Sequence, residues 1–177
     1  MDFVDLFDRS SAWAARKMPS STDALDGSTP CEEWNVRALV NHMIEVQHWL
    51  RGAATEGASG GPADPPPDRV GTDAAADYEA ARQGTLAVLR EPGAAEKAGM
   101  FLGICFVDQL MHGWDVAKAT GQDATMPEDL AATAFSVIDG RMDDPSMRGK
   151  NFKPRIEVPD DAPVQHKLLA YGGRGPQ

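Results

Sequence analysis

An all-α helical bundle is the fold class this sequence predicts, on three observations. Apolar residues recur at helical spacing in several long segments, no stretch shows the apolar/polar alternation of a strand, and a Gly/Pro-rich segment separates two of the periodic blocks. With 177 residues the chain suits one domain over 1–177. Four main helices and a C-terminal helical appendage account for its length.

The first helix is expected over Asp2 to Lys17, where Phe3, Leu6, Phe7, Ser10, Trp13 and Ala14 share a face. Pro19 and the run Ser20-Ser-Thr-Asp23 end it. A second helix is expected from Val36 to about Arg51, with Asn35 as N-cap and Val36, Leu39, Val40, Met43, Val46 and Leu50 as its apolar face. His42 sits at the edge of that face, while His48 falls on the polar side. Residues 52–71, with Gly60-Gly-Pro-Ala-Asp-Pro-Pro-Pro67, are too rich in Gly and Pro for regular structure and suit a lid or a bundle crossover. Thr72 is the expected cap of a third helix running to Glu91, where Pro92 stops it. A helix with Pro127 in its first turn should run to Asp139, burying Ala131, Ala134, Phe135 and Ile138. Residues 141–159 read as irregular and charged, and Asp161 as the cap of a short last helix through Ala170.

The central helix, Phe101 to Gly121, is the most informative segment. Gly121 suits a left-handed C′ position. Leu102, Ile104, Val107, Leu110, Met111, Trp114 and Val116 make the helix apolar nearly all round, the signature of a core helix. Phe101, Cys105, Asp108, His112, Asp115 and Ala119 fall on a strip roughly 80° wide. Asp108 and His112 are four residues apart, about 6 Å between Cβ atoms, close enough to reach one cation together. On spacing alone the simpler account is a hydrogen bond. Three features favour a metal: the apolar surroundings make unpaired polar groups costly, Asp115 extends the polar row, and His42 lies near the core on another helix. Two His and one carboxylate leave coordination positions open, which suits catalysis better than structural closure. Asp115 could orient a ligand or hold an arginine such as Arg37. His48 and His166 read as solvated, and Cys31 and Cys105 as packing residues.

Other functional classes find no support. Net charge is -10 with no basic run, which argues against nucleic acid. The longest apolar run, Met100 to Val107, is too short for a bilayer. An acidic N-terminus with no cleavable apolar segment, together with only two cysteines, points to the cytoplasm. Nucleotide-binding and serine-hydrolase motifs are absent from the sequence.

Two segments resemble a known family. Thr29-Pro-Cys-Glu-Glu-Trp-Asn-Val-Arg-Ala-Leu-Val-Asn-His42 is similar to the TPCxxWxVRxLxxH stretch of the mycothiol-dependent maleylpyruvate isomerase N-terminal domain, within the DinB-like superfamily. His112-Gly-Trp-Asp-Val-Ala-Lys-Ala-Thr-Gly121 resembles its HGWDLAxATG segment, especially in a short single-domain actinobacterial branch, whose ending the tail from Asp161 to Arg174 resembles too. The resemblance implies an up-down-down-up four-helix bundle in which the Gly/Pro segment is the crossover. It also implies a divalent metal, usually zinc with nickel, manganese or iron as alternatives, held by His42, Asp108 and His112. The family's isomerase carries Glu where this chain carries Asp108, and uses a separate C-terminal domain that is not expected here. The resemblance therefore implies transfer of a mycothiol-type low-molecular-weight thiol to small electrophiles, more than maleylpyruvate isomerisation itself. A non-catalytic metal-binding or ligand-sensing bundle is the alternative, and either is compatible with a homodimer.

Overall fold

The computed structural model describes residues 1–32, 34–141, 143, 148 and 153–175. Among them lie seven α-helices: α1 (Phe3–Ala15), α2 (Val36–Glu56), α3 (Ala74–Leu89), α4 (Ala94–Ala98), α5 (Met100–Ala119), α6 (Glu128–Ile138) and α7 (Val164–Tyr171). The sole β feature among the described residues is an isolated bridge between Ser28 and Asn35. The chain divides into two compact units, residues 1–124 and 125–177.

In the first unit α1, α2, α3 and α5 form a bundle whose directions follow from side-chain contacts. Phe3 lies against Gly103, and Trp13 with Ala14 against Gly113, so α1 and α5 run parallel. His42 meets Asp108 while Trp49 meets Phe101, so α2 and α5 are antiparallel. The Thr85 hydroxyl donates to the Gln47 carbonyl, and Asn41 Oδ1 accepts from the Val70 amide just before α3, so α2 and α3 run parallel. Arg82 reaches Ser11 and Asp8, and Arg90 reaches Asp8, so α3 descends along α1. Two consecutive helices that run parallel need a long return, and the Gly/Pro-rich segment supplies it.

Local chemistry explains the boundaries. Asp2 Oδ1 accepts from the Val4 and Asp5 amides at 2.9 and 3.2 Å, capping α1. Asn35 Oδ1 accepts from the Ala38 amide at 2.9 Å, the cap expected for α2. That helix runs five residues beyond Arg51, because Ala53 and Ala54 are buried and their packing outweighs the weak helix propensity of Gly52. Asp73 rather than Thr72 caps α3, accepting from the Ala76 amide at 3.0 Å. After Pro92 the chain does not pass directly into the central helix. Gly93, at φ +80°, turns it into the short α4, which buries Ala94 and Ala98. The end of α5 is as expected: Gly121 has φ +68°, and the Gln122 amide donates to the Ala117 carbonyl at 2.8 Å.

In the second unit α6 buries Leu130, Ala131, Ala134 and Ile138, and α7 buries Leu168, Leu169, Ala170 and Tyr171. Phe135 meets Tyr171 edge to face at 6.2 Å. The last helix starts after Pro163, not at Asp161, since the proline ring fixes φ at the helix entrance without sacrificing a helical donor. Much of the irregular stretch expected at 141–159 lies outside the described residues.

Candidate metal centre

The site is built where α2, α5 and the loop before α2 converge. On α5 the side chains of Asp108 and His112 project one turn apart, and α2 brings His42 against them. Asp108 Oδ1 lies 3.1 Å from His42 Nε2 and 3.4 Å from His112 Nε2. The three side chains are 19%, 12% and 10% exposed respectively, shielded yet reachable from solvent. Two ligands on a tetrahedral zinc, at bond lengths of about 2.0–2.1 Å, stand ~3.3 Å apart, so the carboxylate-to-imidazole separations fit a shared ion.

Neighbouring groups orient His112 and Asp108. Asp115, fully buried one turn further along α5, places Oδ2 2.9 Å from His112 Nδ1. A carboxylate only accepts, so Nδ1 is the donor to Asp115 and Nε2 is the ring nitrogen turned toward Asp108. On the other side Gln109 Nε2 donates to Asp108 Oδ2 at 3.1 Å, while its own Oε1 accepts from Tyr78 Oη at 2.6 Å. One carboxylate oxygen is thus tied to the amide network and the other faces the two imidazoles. Burial pushes the Tyr78 hydroxyl well above its ordinary value, so it stays a donor.

The loop carries the residues that periodicity could not locate. Thr29 Oγ1 donates to the Trp34 carbonyl at 2.7 Å and accepts from the Cys31 amide at 3.1 Å, knotting the loop tightly. That knot sets the Trp34 ring over His42, centroids 4.6 Å apart, and within 5.9 Å of the His112 ring. It also sets the Cys31 thiol to donate to Asp115 Oδ2 at 3.3 Å, with Sγ 4.0 Å from His112 Nδ1. Cys31 is therefore more than the packing residue expected. A second trio of potential donors, Cys31, His112 and Asp115, accompanies His42, Asp108 and His112, the two sharing the His112 ring through opposite nitrogens.

Other expectations meet mixed outcomes. Asp115 orients a histidine, not Arg37, whose guanidinium goes to Asp68 at 3.2 Å and the Val70 carbonyl at 2.6 Å. His48 is half-buried against Arg51, at 2.9 Å, and its basicity is lowered by burial first and by Arg69 and Arg51 next. His166 is half-buried too, in α7. Cys105 is a core thiol, as expected, and burial drives its pKa well up with Asp108 adding to the effect.

Comparison with known proteins agrees with the motifs. Two uncharacterized proteins of Mycobacterium tuberculosis, from strains CDC 1551 / Oshkosh and ATCC 25618 / H37Rv, are each 29% identical to the chain over 179 residues, covering 92% of it and 92% of their own length. No solved structure matches the chain significantly. The family model of the mycothiol maleylpyruvate isomerase N-terminal domain matches residues 7–117, which include His42, Asp108 and His112. On that match, the chain belongs to the mycothiol maleylpyruvate isomerase N-terminal domain family.

Proposed function

We propose that His42, Asp108 and His112 hold a divalent cation, zinc first and nickel, manganese or iron as alternatives, and that the protein transfers a mycothiol-type thiol to small electrophiles. The observation that carries the reading is the orientation of His112. With Nδ1 engaged by Asp115, Nε2 is the nitrogen left to face a carboxylate oxygen at 3.4 Å. Two electron-rich atoms at that distance repel unless a cation or proton lies between them. Asp108 is one methylene shorter than glutamate, and His42 and His112 both stand within reach of its Oδ1, so the carboxylate type is preserved despite the shorter arm.

A bound divalent cation would supply acidity, deprotonating a coordinated thiol at neutral pH. The protein's own groups do the rest. Asp115 and Gln109 hold the donors in place, Trp34 covers the imidazoles, and the partial exposure of Asp108 leaves an approach for thiol and electrophile. In the transfer the thiol proton passes to solvent, a sulfur electron pair forms the S–C bond, and the displaced group leaves with the pair of the bond that breaks. The non-catalytic reading keeps the same cation and omits transfer. The proposed working form is cytoplasmic and compatible with a homodimer. No helix among the described residues is long and apolar enough to cross a membrane.

Metal-stripped protein should take up one zinc per chain by calorimetric titration. His112→Ala should abolish binding, Asp108→Ala should weaken it severely, and Asp108→Glu should retain it. Asp115→Asn should lower affinity by about 10–100-fold through loss of His112 orientation. His48→Ala and His166→Ala should leave affinity unchanged. If His112→Ala binds zinc as tightly as the parent, the site lies elsewhere. An assay with a thiol and a chromogenic electrophile then separates transfer from mere binding.

A further inference from the structure

The helix that carries Asp108 and His112 is buried along most of its length, yet two of its large apolar side chains lie open to solvent. Met100 is 66% exposed and Ile104 is 48% exposed, and apart from Met1 they are the exposed large hydrophobics described in the first unit. Their positions are not random. Met100, Ile104 and Asp108 follow one another at four-residue intervals, so they share a face and lead turn by turn to the metal site. Singly exposed apolar residues are ordinary, but side chains that continue one face up to a candidate site form a patch that an apolar ligand can cover.

The opposite wall repeats the pattern on α2. His42, Glu45 and Trp49 follow at intervals of three and four, and Trp49 meets Phe101 edge to face with centroids 5.2 Å apart. Because α2 and α5 are antiparallel, the His42–Asp108 pair and the Trp49–Phe101 pair lie at two ends of one strip, separated by about 10 Å along the helices. The crossover segment runs along the α2 edge of this strip. Trp49 Nε1 donates to the Ser59 carbonyl at 3.3 Å, and Arg69 donates to Glu45 Oε2 at 2.7 and 3.0 Å. With the Arg69 charge already engaged by Glu45, the strip between the two ends offers hydrocarbon and an ion pair of zero net charge. The one cation described along it, Arg69, is already neutralised by Glu45, so the strip favours an uncharged group over an anionic one.

We propose that the strip formed by Ile104, Phe101 and Trp49 is the subsite for the hydrocarbon portion of the electrophile, so that the site favours uncharged aryl or alkyl electrophiles over dicarboxylates. This rests on the metal-thiol reading above and adds the substrate class to it. Continuity with the site singles out a small molecule as the occupant. Two exposed apolar side chains are also far fewer than the 20–30 residues per partner of a stable interface between copies.

The test uses full-length cobalt(II)-substituted protein saturated with 2-mercaptoethanol and follows the decay of the thiolate-to-cobalt absorption band on reaction with benzyl bromide or with bromosuccinate, a dicarboxylate, each rate divided by that of the same electrophile with free thiol. The ratio should be about tenfold larger for benzyl bromide, as expected for one aryl group leaving water. Ile104→Gln, a good helix former at an exposed position, should remove most of that preference. An equal preference in parent and variant would overturn the proposal. If the protein binds no cobalt, the metal reading fails, and the strip is judged separately with the metal-free protein and the neutral probe N-phenyl-1-naphthylamine. The parent should then enhance probe fluorescence several-fold more than Ile104→Gln, and equal enhancement overturns the subsite. Sedimentation gives the remaining outcome: a parent dimer that Ile104→Gln converts to monomer would make the strip a contact between copies and overturn the proposal.

Discussion

Asp108 and His112 could be read from the sequence because a helix of known pitch converts residue numbers into directions, and their four-residue spacing puts them together whatever the rest of the chain does. His42 was legible only as a polar group at the edge of an apolar face, and the motif match singled it out. Cys31 and Trp34 carry no periodic signal, since their places depend on the knot that Thr29 ties in a loop. The His48 expectation misjudged burial because the polar face of α2 is not bare: Arg51 and the crossover residue Arg69 both act on its imidazole. This environment has a measurable consequence. Burial and the two guanidinium charges lower the His48 pKa below its ordinary 6.5 in the folded protein. As pH falls through that value the unfolded chain takes up the proton more readily than the folded one, so stability is present above 6.5 and is lost on acidification toward the lower folded value. His48→Gln should therefore lose less stability between neutral pH and pH ~5.5 than the parent, measured as urea midpoints. Parallel curves for the two proteins would remove His48 from the account.

At the scale of elements, helix existence was easier to read than helix ends. Ends are decided by single hydrogen bonds, such as Asp73 to Ala76 where Thr72 was the expected cap, and by burial, as where Ala53 and Ala54 prolong α2. The short α4 carries no signal in the sequence, because Pro92 and Gly93 look like a plain break and two buried alanines are too little periodicity to register. Helix-to-helix approach is likewise written in small residues whose purpose shows only in three dimensions. A Cβ added at Gly113 would stand 2.8 Å from both Ala14 Cβ and Trp13 Cζ3, and 3.1 Å from Ala14 Cα. Backbone and a rigid indole cannot yield as a flexible side chain would. Gly113→Ala should gain up to about 1 kcal/mol of helix propensity yet cost roughly 1–3 kcal/mol by overpacking α1 against α5, a net loss. For a domain of this size each kcal/mol is worth about 2–4 °C in the thermal midpoint. A variant that melts at or above the parent would show that α1 can retreat from α5 without penalty. Because His112 immediately precedes Gly113, the same variant should also weaken zinc binding if the two helices are displaced.

At the scale of the molecule, the proposal of one domain over residues 1–177 carries a calorimetric prediction. All the proposed ligands, the loop that covers them and the apolar strip lie within residues 1–124, and the family match ends at residue 117. Among the described residues, 125–177 contribute two helices, α6 and α7, which bury Leu130, Ala131, Ala134, Ile138, Leu168, Leu169, Ala170 and Tyr171. A folded unit of about 60 residues is already marginal because it buries too small a fraction of its surface to offset chain entropy. Nor does the second unit have a cysteine for a disulfide, since Cys31 and Cys105 both precede it. On its size alone, the second unit should be only marginally stable. We propose a single cooperative transition for the full chain, in which the calorimetric and van't Hoff enthalpies agree. Zinc should raise the midpoint of that one transition in proportion to the logarithm of its free concentration, since it binds only the folded state. Two resolved transitions, with zinc shifting one and leaving the other fixed, would instead mean that the metal-binding bundle and the C-terminal helices are separate domains.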